Sequence, residues 1–246
     1  MRLFGGQGTS VMNHNKLLSV LIESRLVNIV LPGLSTIVVF AALYFVFLIA
    51  PNESTLGAVQ RVFYFHVPSA IVSYLMLGVV LLSSISYLYT RKSVWDHIAK
   101  SAASIAFLFC CCVLVTGMIW GYSSWNRIWN WEPRLTSFLI LWLVLLSYSV
   151  LRQYAVDDSR QAAFAAVLGI LAALNVPVVI FSIKLWQDAY QLHPEVVAQN
   201  GLRDPLFGYG LIVAGLAILL LAVWLFLLKL RTVLLQEEIR SVSRRI

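Results

Sequence analysis

Charge is scarce in this chain. Asp, Glu, Lys and Arg supply only 12% of its 246 residues, while apolar side chains supply 60% and the mean hydropathy is +0.84. A soluble domain carries about twice that charge density, so an ordinary solvated globule is excluded. Period-2 alternation is also missing, which removes a membrane barrel. The long apolar runs must then be helices, because a bilayer has no water to satisfy backbone amides. Cysteine is limited to Cys110, Cys111 and Cys112. Neighbours on a helix point about 100° apart, so these thiols form neither a disulfide framework nor a CxxC pair. No CxxCH haem-attachment site exists, and the three read as small core residues. The opening "MRLFGGQGTSVMNHNK" lacks a signal peptide's apolar core and cleavage site. It reads as a flexible or interfacial lead-in.

What is present is an all-α membrane protein, a six-helix bundle forming one domain over residues 1–246. Each crossing needs about 20 apolar residues. Six runs meet that length or approach it: Ile29–Ala50, Val67–Tyr89, Ile98–Trp120, Leu135–Leu151, Ala162–Ile183 and Leu206–Leu228. Pro32 and Pro177 read as a helix start or a kink, not as boundaries. No run has an ionisable side chain near its middle or a histidine within it. This disfavours proton pumps, ion-coupled transporters and b-type cytochromes that ligate haem inside the bilayer.

The formal charge of +7 would suggest nucleic acid in a soluble protein. Here Lys and Arg flank the apolar runs, so they report topology instead. Of the 18, only Arg61, Arg127, Arg134, Lys184 and Arg203 fall in the first, third and fifth connections. The positive-inside rule then places both termini in the cytoplasm and those three connections outside. The tail "KLRTVLLQEEIRSVSRRI" either extends the last helix or lies on the membrane. The second and fourth connections show no nameable chemistry.

All three outward connections carry something unusual. The third reads "IWGYSSWNRIWNWEPRLTS" and gathers Trp120, Trp125, Trp129 and Trp131, half of the chain's 8 tryptophans, followed by Glu132 and Arg134. One reading is an interfacial aromatic belt. The other is a platform for a flat, conjugated ligand, because indole faces pack at low entropic cost. The first connection ends at His66, where Leu56, Val59, Phe63 and His66 recur at one face of a short helix. The fifth holds His193. A lone boundary histidine is usually structural, but two from different outward connections suit axial ligation of haem iron. Glu132 and Arg134 form either an interfacial ion pair or a carboxylate-recognition site.

"WGYSSWNRIWNWEPRLTS" resembles the tryptophan-rich signature of the cytochrome c maturation haem-handling proteins, most closely their haem exporter protein C branch. "RVFYFHVPSA" resembles that family's R-x-x-Y-x-H-V-P-x-A pattern, and six spans with a histidine in the third outer loop fit it too. The resemblance implies a non-enzymatic protein that binds and transfers haem in cytochrome c biogenesis, at the outer surface of the cell membrane. It implies non-covalent, b-type haem as a transported ligand, with His66 and His193 as axial ligands. Trp120, Trp125, Trp129, Trp131, Glu132 and Arg134 match the signature. Implied partners are membrane lipid, a membrane-anchored haem chaperone, ATP-binding cassette subunits and a small single-span subunit, with no nucleic acid. Three positions depart from the signature: Asn126 for Gly, Ile128 for the first Trp of a pair, and Glu132 for Asp. The alternatives are a permease subunit moving haem or another solute, a longer fused haem-ligating protein, and a purely structural assembly subunit.

Overall fold

The computed structural model describes residue 16 and residues 18–53, 56–154, 158–186 and 204–243. The described residues hold six long helices and no strand. Helix α1, Leu31–Tyr44, is continued at both ends by π-helical turns, Leu26–Val30 and Phe45–Ile49. A 3-10 turn, Ala58–Val62, leads into α2, Phe63–Thr90; then follow α3, Ser93–Trp125, α4, Pro133–Tyr154, α5, Asp158–Leu185, and α6, Pro205–Ser243. All six rods are long and apolar enough to cross a membrane. The six spans expected from sequence are therefore present, and the chain is a multi-pass helical membrane protein.

The rods outrun the apolar windows that revealed them. Hydrophobicity marks where lipid is, whereas a helix stops only where its backbone is turned away. Helix α3 runs past Trp120 to Trp125, and α2 begins ahead of His66. Both features were expected to lie in connections. The stops are left-handed residues: Arg91 (φ 55°) after α2 and Asn126 (φ 53°) after α3, whose N–H groups bond the Tyr87 and Tyr122 carbonyls at 2.8 and 2.9 Å. Pro177 lies inside α5, which continues through it, and Pro32 sits in the first turn of α1. The tail extends α6 as a helix to Ser243. At 1.5 Å per residue that rod is about 58 Å long, against about 30 Å of hydrocarbon.

Helices α2 and α3 form the centre. The α4–α5 hairpin packs on them, α6 leans on both, and α1 rests on α6. Lipid gives helices no hydrophobic reason to associate, so contact depends on close packing of small residues. On α3 these are Ala99, Ala102, Ala103, Ala106 and Cys110, recurring at three- and four-residue steps down one buried face. Opposite them α2 buries Ser69, Val72, Ser73, Leu77 and Val80. Gly169 of α5 lets that helix pass α2 closely, since a Cβ there would sit 2.7 Å from Val80 Cγ1.

The alternation of spans puts the start of α2, the turn at 126–132, the end of α5 and the start of α6 at one end of the bundle, hereafter the tryptophan end. The opposite end holds a polar network that sequence did not suggest. Asp96 of α3 pairs with Arg152 of α4, whose Nη1 donates to Asp96 Oδ2 at 2.9 Å and whose Nη2 reaches Oδ1. Nη2 also donates to Tyr148 Oη at 3.0 Å, and the guanidinium lies 5.2 Å from the Tyr148 ring centre. The Arg152 side chain is only 7% exposed.

Candidate ligand site at the tryptophan end

His66 occupies the first full turn of α2 and faces α3. Its Nδ1 lies 3.0 Å from Thr116 Oγ1. Thr116 is itself fixed, because its hydroxyl reaches the carbonyls of Cys112 at 2.6 Å and Val113 at 3.2 Å. Beside it Gly117 makes room for the ring: a Cβ at that position would stand 3.3 Å from His66 Cε1.

One turn further along, the same face of α3 presents Trp120 and Gly121, since residues four apart stack on a helix. Trp120 and Trp125 meet edge to face, with ring centres 5.0 Å apart and planes at 83°. Gly121 admits the chain that doubles back after the helix: a Cβ there would lie 3.2 Å from the Arg127 carbonyl and 3.4 Å from Trp125. The turn needs the left-handed conformation at Asn126, which L-residues adopt at a cost and which Asn tolerates best after Gly. The Asn-for-Gly departure therefore keeps the backbone that the position demands. Ile128 is exposed, so the missing indole leaves no hole in the packing.

Trp129 and Trp131 form a second edge-to-face pair, 5.8 Å apart at 75°. The indoles thus make two T-shaped pairs instead of one flat stack, the arrangement that ring quadrupoles favour. Trp131 is 76% exposed, whereas Trp129 is half-buried with its Nε1 enclosed and without a hydrogen-bond partner among the described residues.

Glu132 and Arg134 part company. Glu132 is 2% exposed and sits just ahead of Pro133, its carbonyl accepting from Thr136 N–H at 2.9 Å. Its carboxylate is therefore close to a helix N-terminus, where negative charge is stabilised. Arg134 turns to α5: Nη2 donates to the Ile180 carbonyl at 3.2 Å and Nε reaches Ser182 Oγ at 3.5 Å. The motif is in this way tied to the last turns of the helix that leads into 187–203. His193 lies outside the described residues, so its distance from His66 is not part of this geometry. Arg61, also at this end, places its guanidinium 5.9 Å from the Phe47 ring centre.

Thr116 and Gly117 were missed in the sequence. Thr116 sits 50 residues from His66 in an otherwise apolar run, and only α2–α3 packing reveals the pairing. The signal that could have found it is the spacing Thr116–Trp120, one turn, which puts a hydroxyl beneath the first indole.

The chain matches the family model described as "Heme exporter protein C" over residues 13–245. It is 34% identical over 216 residues to heme exporter protein C of Bradyrhizobium diazoefficiens, covering 87% of this chain and 82% of the relative. A putative cytochrome c biosynthesis ccmC-like mitochondrial protein of Marchantia polymorpha is 32% identical over 65% of this chain and 67% of its own. Heme exporter protein C of Escherichia coli K12 is 29% identical over 78% and 77%. A family match across nearly the whole length, on a six-span fold with the histidine and tryptophan motif at one end, establishes that this chain belongs to the heme exporter protein C family.

Proposed function

We propose that this protein handles haem for cytochrome c maturation, holding it non-covalently at the tryptophan end and passing it to a membrane-anchored haem chaperone. The observation that carries this reading is the single face of α3 on which the His66 contacts, Thr116 and Gly117, lie one turn from the Trp120–Trp125 pair. An imidazole and indoles side by side offer what a metalloporphyrin needs: a nitrogen ligand for iron and apolar faces for the macrocycle. The relatives' names supply the biological setting.

In this reading His66 and His193 are the axial pair, and the exposed Trp131 is the surface offered to the chaperone. Trp120, Trp125 and Trp129 cover the porphyrin. Glu132 sets the start of α4, and Arg134 braces α5, the helix from which the His193 segment departs. Both termini face the cytoplasm and the haem faces outward, following the basic residues. An ATP-binding cassette pair and a small single-span subunit complete the assembly. The protein makes and breaks no covalent bond itself.

The test is the visible spectrum and haem content of the purified protein after His66→Ala and His193→Ala. Each change is expected to lower haem content and displace the absorption bands. If both variants keep the parent spectrum and content, the axial assignment is wrong.

A further inference from the structure

Resting on the haem reading above, we infer that Thr116 is a positioning residue for the ligand, setting which nitrogen of His66 is presented to iron. A hydroxyl owns one proton and two lone pairs. The Thr116 proton is directed at backbone carbonyls of its own helix, Cys112 at 2.6 Å and Val113 at 3.2 Å. Toward His66 the oxygen therefore has lone pairs to give, and at 3.0 Å it accepts from Nδ1–H. This acceptor favours a ring N–H turned toward α3.

A neutral imidazole with hydrogen on Nδ1 carries its lone pair on Nε2. Thr116 thus selects the Nδ1–H tautomer, leaving Nε2 as the donor to iron, and fixes the ring plane. Gly117 completes the seat, because a side chain there would crowd Cε1, the carbon between the two nitrogens. Groups that hold the non-ligating nitrogen of a metal-bound histidine commonly change metal affinity by 10- to 100-fold when removed. The seat belongs to the α2–α3 contact, the centre of the bundle, so a rigid part of the molecule aims this histidine.

The experiment compares Thr116→Val, Thr116→Ser and His66→Ala in the full chain with bound haem. Thr116→Val keeps the side-chain shape and removes the acceptor. Its haem dissociation constant is expected to rise about tenfold, with an altered axial-ligand signature in low-temperature electron paramagnetic resonance. Thr116→Ser restores the oxygen and is expected to recover both the constant and the signature. Thermal unfolding of the haem-free proteins shows whether Val disturbs the fold. If Thr116→Val binds haem with parent affinity and signature while His66→Ala does not, the positioning role is refuted and the haem reading stands. If His66→Ala also matches the parent, the positioning role falls together with the assignment of His66 as an axial ligand. A defect in Thr116→Val that Ser does not repair also overturns the role, because it then follows from packing and not from the hydrogen bond.

Discussion

The two ends of the bundle handle polarity in opposite ways. At the opposite end Asp96, Arg152 and Tyr148 turn on one another, and charge is neutralised within the molecule. At the tryptophan end Arg61 Nε, Tyr64 Oη, Ser124 Oγ, Trp129 Nε1 and Asn130 Nδ2 are enclosed yet find no hydrogen-bond partner among the described residues. An enclosed polar group left unpaired costs about 1–3 kcal/mol. These groups lie at the same end as the exposed ring of Trp131. The opposite end is not free of such groups, since Arg152 Nε is also enclosed without a partner among the described residues, but its charges face one another.

The comparison breaks most visibly at the ion-paired end. Asp96→Ala strands a guanidinium in a nearly closed site and is expected to cost about 3–5 kcal/mol. Unfolding titrations in detergent would measure it, and Asp96→Leu combined with Arg152→Met should recover most of the loss. Haem content of the folded fraction should stay at the parent level; if it collapses, the two ends are not independent.

A smaller effect is expected at the turn after α3. Asn126→Ala removes the short polar side chain that eases the left-handed conformation and should cost about 1 kcal/mol. Asn126→Gly should hold or raise stability slightly. The same unfolding titration checks both, and a neutral Asn126→Ala would mean that the turn is not fixed by its φ angle.

The least effect on stability, with the greatest functional contrast, belongs to Trp131→Ala. The ring is mostly in the open, so stability should change by no more than about 0.5 kcal/mol. Haem should remain bound while its transfer to the chaperone slows, as read by the rate of haem appearing on that partner. Unimpaired transfer would remove Trp131 from the contact surface.

The sequence disclosed the spans because lipid imposes a coarse, local rule on about twenty residues at a time. It disclosed the tryptophan cluster for the same reason: the indoles are neighbours in the chain. What it concealed are pairings across helices. Asp96 and Arg152 are 56 residues apart, and each sits where a charge looks like a topology marker. His66 and Thr116 meet only because small residues let α2 and α3 approach closely. Arg134 reads in the sequence as one half of an ion pair or as a carboxylate-recognition group, and its reach to Ile180 and Ser182 on α5 is a further pairing of this kind. The end of α3 was hidden by composition, because aromatic residues continue without a break from helix into turn.

Helix α6 is nearly twice as long as the hydrocarbon layer is thick, and it is one rod from Pro205 to Ser243. About half of the rod must therefore stand outside the hydrocarbon layer. Its last turns, 238–243, are exposed, so the helix ends as a stalk standing clear of the bundle.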